Sequence, residues 1–231
     1  MDWHARLQAV CQAHGLGSEP CEQLRRLLAL VVADDTAPTT VREPARAVDV
    51  HVADSLVALD LPAVREARTI ADVGSGAGFP GLPLAIALPA ATVALVESSS
   101  RKCAFLERAA AAAGTVNADV ACVRVEEWPA RGLDLVCARA VASLPVLAEY
   151  AAPVLRMGGH LVAWKGRREV AEERAAAAAA AQLGLEQAQV VAVAPFEGAQ
   201  HRTLYVYSKV VETPDRFPRR PGMARKRPLS G

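Results

Sequence analysis

The spacing of apolar positions changes near residue 68, from a helical period to short apolar runs. Upstream of that point apolar residues such as Leu24 and Leu28 repeat at intervals that place them on one face of an amphipathic helix. Ser18 precedes this stripe and is a favoured N-cap residue, so we expect the helix to begin there. His51 and Asp54 share the polar face of a later helix, which favours a surface histidine paired with a carboxylate. The helical period predicts helices over residues 2–14, 18–33 and 47–59.

Downstream of residue 68, short apolar runs alternate with amphipathic stretches. We predict strands over 68–73, 92–97, 119–124, 133–138 and 160–164, and helices over 80–88, 99–113, 145–154 and 167–183. Strands that alternate with helices form a mostly parallel sheet, so the predicted fold class is α/β. Two further strands, 190–194 and 204–207, are joined by a segment too short for a parallel crossover, so they must form an antiparallel hairpin.

The first strand leads directly into a glycine-rich turn that reads I-A-D-V-G-S-G-A-G-F-P-G over residues 70–81. Glycine is needed where the backbone adopts a positive φ or where a ligand approaches it closely. A strand, a tight turn and a helix form a pocket at the carboxyl end of the strand, where open α/β sheets bind ligands. Two ligands fit: the spacing from Gly76 matches the G-x-G-x-x-G dinucleotide fingerprint, whereas Asp72 before Gly74, Gly76 and Gly78 is typical of methyltransferases that use S-adenosylmethionine (SAM).

The second strand ends in Glu97, whose carboxylate can accept hydrogen bonds from both ribose hydroxyls of an adenosyl group, in NAD or in SAM. The two hypotheses therefore share one pocket, and the C-terminal hairpin separates them. A dinucleotide-binding domain would continue with another βαβ crossover. A parallel sheet closed by an antiparallel hairpin is instead the class I SAM-dependent methyltransferase (Rossmann-like) sheet. We therefore predict that SAM is the cofactor, with Asp72, Gly74, Gly76 and Gly78 at its site.

Two more strand ends carry candidate chemistry. In a methyltransferase sheet the end of the third strand holds the adenine ring, which indicates Val125 and Glu126. Arg139 ends the fourth strand, where the transferred methyl group would face the acceptor, so it is the candidate catalytic residue. The chain lacks the Asn/Asp-Pro-Pro-Tyr/Phe motif and the Pro-Cys nucleophile of other nucleic-acid methyltransferases, and Cys137 is expected to be a small buried side chain. An acceptor that needs no base fits better, and guanine N7 has a free lone pair.

The composition of the chain indicates where the protein works more clearly than what it does. The 231 residues suit one α/β domain with a modest extension, and a net charge of +1 excludes an overall basic field. Five cysteines without a C-x-x-C pair argue against a disulfide framework or a zinc site. No apolar run approaches the roughly 20 residues of a membrane span, and no signal peptide is recognisable. We expect a cytoplasmic monomer without metal and without membrane attachment.

The C-terminal segment 213–228 holds six Lys/Arg, one acid and four prolines. Because proline opposes regular structure and an extended basic segment can contact phosphates, we predict a tail that binds RNA and leaves the cofactor pocket untouched. Its candidate RNA contacts are Arg219, Arg220, Arg225, Lys226 and Arg227. The predicted domains are a helical extension over 1–60 packed on the core, a SAM-binding methyltransferase domain over 61–209 and a basic tail over 210–231.

Several stretches together resemble a known family. The glycine turn continues as D-V-G-S-G-A-G-F-P-G-L-P, and the further matches are H-V-A-D-S-L at His51, R-K-C-A-F-L at Arg101, R-A-V-A at Arg139, K-G at Lys165 and F-P-R-R-P-G at Phe217. From about His51 to Leu229 the chain is similar to the ribosomal RNA small-subunit methyltransferase G family, also named glucose-inhibited division protein B.

The resemblance implies transfer of a methyl group from SAM to N7 of a guanosine in the 530 loop of 16S ribosomal RNA. The partner would be the 16S rRNA or the small ribosomal subunit. Carried over by position, the SAM contacts would be Gly74, Phe79, Val125, Glu126 and Arg139. Arg139 and Lys165 would contact the RNA together with the tail.

Two other functions remain open at this point. An oxidoreductase with a nucleotide cofactor would rest on the G-x-G-x-x-G spacing alone. A SAM-binding or RNA-binding module without turnover would use the same pocket or the same tail. Separate titrations with SAM and with NAD would distinguish the methyltransferase from the oxidoreductase.

Overall fold

The computed structural model describes residues 2–230 and contains one seven-stranded sheet. Its strands are β1 (Thr69–Val73), β2 (Thr92–Glu97), β3 (Ala118–Cys122), β4 (Leu133–Arg139), β5 (Leu155–Lys165), β6 (Leu185–Val193) and β7 (Arg202–Lys209). They lie in the order β3-β2-β1-β4-β5-β7-β6. The first five in this order are parallel, and β7 is antiparallel to both β5 and β6. The predicted parallel sheet with a closing antiparallel hairpin is confirmed.

Helices cover both faces of the sheet. They are α1 (Trp3–Ala13), α2 (Ser18–Ala33), α3 (Pro44–Ala47), α4 (Asp54–Leu56), α5 (Pro62–Arg65), α6 (Gly81–Ala87), α7 (Ser100–Ala113), α8 (Leu144–Ala151), α9 (Val170–Leu183) and α10 (Met223–Lys226). Successive residues of a strand face opposite sides, and β4 shows the consequence. Leu135 and Cys137 belong to the core with Leu82 of α6, whereas Val136 and Ala138 belong to the core with α8 and α9.

The N-terminal helices share the first of these cores with the sheet. Leu24, Leu27 and Leu28 of α2 are fully buried in the same apolar cluster as Phe105 of α7. Helix α2 has Gly17 at its N-cap position and Ser18 as its first residue, so the prediction of Ser18 as the N-cap is wrong by one position. The predicted division into three domains stays a prediction.

The predicted helix over 47–59 is a sequence of short helical turns. A π-helical turn, Val48–Ala53, separates α3 from α4, and a 3-10 turn, Val57–Asp60, follows α4. The wider π turn changes which residues share a face, because the helical period on which the prediction depended is interrupted there.

Strands β5 and β6 begin about five residues before their predicted starts. In β5 the early part contains Gly158 and Gly159, which interrupt the apolar pattern, and the pairing with β4 is irregular between Leu133 and Leu135. In β6 the early residues from Leu185 are mostly exposed and polar, so they carry no apolar signal. Pairing with a neighbouring strand therefore extends both strands beyond what their own side chains indicate.

The C-terminal segment is folded against the domain. Phe217 and Ala224 are buried in the core that contains α8 and α9, and residues 223–226 form α10. The four prolines of residues 213–228 do not prevent this helix from forming, because α10 contains none of them. The prediction of an extended tail without regular structure is wrong.

Two cysteines that are distant in sequence meet where α7 packs on β3. Cys103 and Cys122 form a disulfide with their Cα atoms 5.8 Å apart, which contradicts the expectation drawn from cysteine spacing. Cys137 is free and fully buried, as predicted, and burial raises the pKa of its thiol well above the usual value. Among residues 2–230 no group of three or more His, Cys, Asp or Glu side chains is arranged to hold a metal ion. None of the helices described is both long enough and apolar enough to cross a membrane.

Candidate active site

The glycine turn after β1 has the conformation that its sequence predicts. Gly74, Gly76 and Gly78 have φ values of +74°, +55° and +92°, in the left-handed region that favours glycine. A Cβ atom at Gly74 would lie 2.6 Å from a methyl group of Val141, so glycine is also required for space. At Gly76 a Cβ would meet no atom closer than 3.8 Å, which leaves the backbone of that residue open to a ligand.

Asp72 lies beneath the turn and is only 1% exposed. Its Oδ2 accepts a hydrogen bond of 2.9 Å from the backbone N–H of Gly81, the first residue of α6. Burial raises the pKa of this carboxyl to about 6, partly offset by the Gly81 N–H and by Arg139. Asp72 therefore fastens the start of α6 to β1, and its predicted contact with the cofactor stays a prediction. The helix predicted to begin at residue 80 begins at Gly81, and Pro80 is its N-cap residue.

A cavity of about 500 Å³, here named the Glu97 cavity, opens at the carboxyl ends of β1, β2 and β4. The predicted cofactor residues Gly74, Glu97, Val125 and Glu126 line it. Gly76 and Gly78 stand in the turn behind Gly74 and are not among the lining residues. A pocket at the strand ends of an open α/β sheet is the expected place for a ligand.

The carboxylate of Glu97 is nearly buried and accepts hydrogen bonds from three backbone N–H groups. Oε1 accepts from Ser98 and Ser99 at 2.9 and 3.0 Å, and Oε2 accepts from Gly76 at 3.2 Å. The ammonium of Lys102 lies 3.8 Å from Oε2. Each carboxylate oxygen can accept more than one bond, so the group is held in a fixed orientation with capacity left toward the cavity.

The C-terminal segment forms one wall of the Glu97 cavity. Arg225 of α10 and Tyr150 of α8 both line it, and Arg225 donates a 3.3 Å hydrogen bond to the carbonyl of Val141. Glu126 accepts a 2.9 Å hydrogen bond from the backbone N–H of Gly222, just before α10. Sequence reasoning assigned Arg225 to RNA alone and missed its place at this cavity, because no local pattern relates residue 225 to the strand ends.

A second cavity of about 400 Å³, here named the Arg139 cavity, lies beside the first. Its lining includes Asp54, Arg139, Lys165 and Arg202. Ala140 lines both cavities and has φ +56°, an uncommon conformation for a residue with a Cβ. Backbone outliers of this kind cluster at functional sites, and this one lies where the two cavities meet.

Arg139 is held by groups from the N-terminal helical turns. Its Nη1 donates hydrogen bonds of 2.9 Å to Asp54 Oδ2 and to the carbonyl of Val50. Burial lowers the pKa of Arg139, and Asp54 opposes this shift; a guanidinium nevertheless stays protonated in a protein. Lys165, predicted to bind RNA, lines the same cavity and donates a 2.7 Å hydrogen bond to Glu172.

His51 and Asp54 are both buried, so the predicted surface pair is wrong. The His51 ring stacks on Phe79 at 4.4 Å between centroids, and its Nε2 lies 3.0 Å from the hydroxyl of Thr39. Burial and the nearby Arg139 lower the pKa of His51 to about 4, so its ring is neutral near pH 7. Phe79, predicted to contact SAM, is buried between His51 and Arg139 and lines neither cavity.

The five predicted RNA contacts of the tail divide into two groups. Arg219 forms a bidentate ion pair with Glu149 of α8, from Nε to Oε1 at 2.8 Å and from Nη2 to Oε2 at 2.6 Å. Arg225 lines the Glu97 cavity. The side chains of Arg220, Lys226 and Arg227 make no hydrogen bond or ion pair with other residues of the described chain. These three cations are therefore the ones free to meet a charged partner.

A sequence model of one family, described as rRNA small subunit methyltransferase G (GidB), matches residues 21–203. The chain belongs to this family. The predicted family is thus confirmed over most of the chain, including both cavities except for Arg225.

Individual members of the family agree with this membership. The chain is 44% identical over 198 residues to the ribosomal RNA small subunit methyltransferase G of Rubrobacter xylanophilus, covering 82% of this chain and 76% of the relative. It is 40% identical over 188 residues to the protein of that name from Pelotomaculum thermopropionicum, covering 78% and 77%.

Solved structures agree in fold at low sequence identity. The SAM-dependent methyltransferase SibL matches with a TM-score of 0.58 at 13% identity and covers 90% of this chain and 74% of its own. Fibrillarin from Aeropyrum pernix, solved with bound SAM, matches with a TM-score of 0.54 at 18% identity, covering 67% and 72%. The family and the fold confirm the predicted SAM-dependent methyltransferase and leave the oxidoreductase alternative without support.

Proposed function

We propose that the protein transfers the methyl group of SAM to N7 of a guanosine in the 530 loop of 16S rRNA. Membership of the rRNA small subunit methyltransferase G family carries this proposal. The two adjoining cavities support it, because one has the groups expected for an adenosyl cofactor and the other is lined by Arg139, Lys165 and Arg202. The 16S rRNA, free or within the small subunit, is the proposed partner, and a cytoplasmic monomer is the proposed working form.

The residues of the Glu97 cavity fit SAM. Glu97 has a fixed carboxylate with unused acceptor capacity for the ribose hydroxyls, and Val125 and Glu126 form the edge proposed for the adenine ring. The turn at Gly74 and Gly76 offers backbone without side chains. SAM would supply a methyl group on a positively charged sulfur, and the methyl–sulfur bond that breaks on transfer would leave its electron pair on that sulfur as a neutral thioether.

The proposed reaction needs no catalytic base. Guanine N7 has an unprotonated lone pair at neutral pH, so no proton has to leave before attack on the methyl carbon. The chain then contributes by binding both reactants side by side and aligning them. Such alignment can lower the activation free energy by several kcal/mol. Arg139, at the acceptor side of Ala140, positions the RNA in this proposal and accepts no proton.

Mapping of rRNA modification tests the proposal directly. In the source organism, deletion of the gene is expected to remove 7-methylguanosine from the 530 loop, and the chain expressed in trans is expected to restore it. Site-selective cleavage at 7-methylguanosine, read by primer extension, measures both. Persistence of the modification in the deletion strain, or its loss from another position of the rRNA, would contradict the proposed site.

We also propose that the exposed cations of the folded tail, Arg220, Lys226 and Arg227, bind RNA phosphates. If they do, log K for RNA falls with log salt concentration, and the slope becomes shallower by roughly 0.7 to 0.9 for each phosphate contact that a substitution removes. Changing all three to Ser is expected to weaken RNA binding and flatten the slope. SAM affinity is expected to stay unchanged, because Arg225 is retained.

A matched control removes three arginines from the opposite edge of the sheet. Arg65, Arg131 and Arg156 lie just before or at the start of β1, β4 and β5, so their replacement by Ser changes the net charge equally. Binding of small-subunit rRNA fragments at several salt concentrations gives the slope for each protein. Equal slopes for the tail variant and the wild type would show that Arg220, Lys226 and Arg227 do not contact RNA phosphates.

A further inference from the structure

The Arg139 cavity contains one carboxylate, and one of its oxygens has no hydrogen bond. Asp54 lines the cavity with a side chain only 8% exposed. Its Oδ2 accepts the 2.9 Å hydrogen bond from Arg139, whereas Oδ1 finds no hydrogen-bond donor among residues 2–230. The guanidinium of Arg202 lies 3.3 Å from Oδ1 as an ion-pair contact without hydrogen-bond geometry. A buried acceptor without a hydrogen bond is costly. Oδ1 has almost no accessible surface beside Arg202, so a donor from a ligand reaches it when the partly exposed Arg202 side chain moves aside.

The charges around the cavity show what kind of donor this is. Arg139, Lys165 and Arg202 line it and suit the phosphates of RNA. A carboxylate would repel those phosphates, so the Asp54 oxygen that lacks a hydrogen bond must accept from another part of the nucleotide. The polar donors of a nucleotide are its sugar hydroxyls and the N–H groups of its base.

Among the RNA bases, guanine alone presents two adjacent donors, N1–H and the N2 amino group, on its Watson–Crick edge. Adenine has an acceptor at N1, and uracil has carbonyl acceptors on both sides of N3–H. Enzymes that modify a base extrude it and bind this edge by hydrogen bonds. A carboxylate with free acceptor capacity matches guanine and disfavours adenine by placing two acceptors against each other.

The position of the edge also suits methylation at N7. N7 lies on the opposite side of the purine from N1 and N2, so a group that holds the Watson–Crick edge leaves the N7 lone pair unoccupied. Asp54 lines only the Arg139 cavity, while Ala140 lines both cavities. A base held at Asp54 would therefore occupy the cavity that adjoins the one assigned to SAM.

We propose that Asp54 recognises the target guanine by accepting hydrogen bonds from N1–H and N2–H, with Arg139 as the positioning residue that holds Oδ2 and with the Arg202 side chain moving off Oδ1 as the base enters. The proposal rests on the proposed function, since it names how the acceptor base is recognised. Asp54 is a specificity-determining residue that contacts the substrate, and it takes no part in the transfer step.

Inosine at the target position tests this assignment, because inosine keeps N1–H and N7 but lacks the N2 amino group. Small subunits reconstituted with 16S rRNA bearing guanosine or inosine at that position serve as the two substrates. For the wild type, kcat/KM is expected to fall about 10- to 100-fold with inosine, as for loss of a hydrogen bond to a charged group. Equal rates on the two substrates would overturn the proposal.

The Asp54→Asn variant distinguishes recognition of the base by Asp54 from a purely structural role of this residue. The variant is expected to lose about 10- to 100-fold on guanosine subunits and to retain little discrimination against inosine, because one group accounts for both effects. Equal losses on both substrates, with the wild-type ratio preserved, would show that Asp54 only supports the fold and would overturn the proposal. Failure of the wild type to methylate guanosine subunits would instead contradict the proposed function.

Two further variants keep the test informative. Asp134→Asn changes a carboxylate that pairs with Arg156 at the opposite edge of the sheet, so kcat/KM is expected to stay near the wild-type value on guanosine. If Asp54→Asn does not fold, as judged by its melting curve and SAM titration, Asp54→Glu keeps the charge beside Arg139 and displaces the acceptor by one methylene. Asp54→Glu is expected to bind SAM normally and to show a reduced guanosine-to-inosine ratio, and an unchanged ratio would overturn the proposal.

Discussion

Replacement of Glu97 by Ala is expected to weaken SAM binding by about 10- to 150-fold. The reason is the loss of charge-assisted hydrogen bonds to the ribose, worth roughly 1.5–3 kcal/mol. Calorimetric titration with SAM measures the effect. A folded Glu97→Ala protein with wild-type SAM affinity would show that the Glu97 cavity binds the cofactor in another way.

The surroundings of Glu97 also determine how stable this variant is. A glutamate at the exposed rim of a pocket could be replaced with little effect on folding, yet Glu97 is nearly buried and satisfies three backbone N–H groups. Ala would leave those donors unpaired, whereas Glu97→Gln removes the charge, keeps one acceptor oxygen for Ser98 and Ser99, and replaces the other oxygen by an amino group. We expect Gln to lower SAM affinity with the smaller loss of Tm. Glu127→Ala is the matched control, because Glu127 is exposed one residue beyond the cavity wall and does not line the cavity.

Replacement of Arg219 by Ala is expected to lower the free energy of unfolding by roughly 3–5 kcal/mol. Glu149, its partner on α8, is 1% exposed and accepts from Arg219 through two side-chain nitrogens and the backbone N–H. Without the guanidinium, this carboxylate is left charged and buried. Thermal and denaturant unfolding measure the loss, and each kcal/mol corresponds to about 2–4 °C in Tm for a chain of this size.

Neighbouring residues provide the controls for Arg219. Arg220→Ala removes an equal charge from an exposed position and is expected to change Tm little. Arg219→Met combined with Glu149→Leu removes both partners and is expected to recover much of the stability, because no uncompensated charge remains. Equal melting temperatures for Arg219→Ala and Arg220→Ala would mean that the ion pair does not anchor the tail.

Local patterns in the sequence were sufficient to predict the sheet and the glycine turn. The alternation of apolar runs and helices determined the parallel strands, and the short connection between the last two strands required a hairpin. Gly74 and Glu97 were found because both lie at strand ends, and the carboxyl ends of parallel strands meet at one edge. These features depend on residues close together in the chain.

The polar partnerships were not predictable in the same way. Asp54 and His51 have the spacing of a surface pair, and only packing against Arg139 and Phe79 buries them. Likewise, nothing near Arg219 in sequence indicates Glu149, which lies 70 residues away. A helical or strand period records which face is apolar, but it does not record which buried charge pairs with which. The folded tail was missed for this reason.

Helix α10 places one basic side chain on the wall of the Glu97 cavity, and two others, Lys226 and Arg227, lie at the surface at its C-terminal end. Any shift of this single turn on ligand binding therefore acts on both places at once. Thermodynamic linkage then imposes reciprocity: if SAM raises RNA affinity by some factor, RNA raises SAM affinity by the same factor. A titration with SAM, made once with RNA and once without it, would thus give the cooperativity in both directions. Replacing Arg225 is expected to bring the ratio of the two SAM affinities toward one.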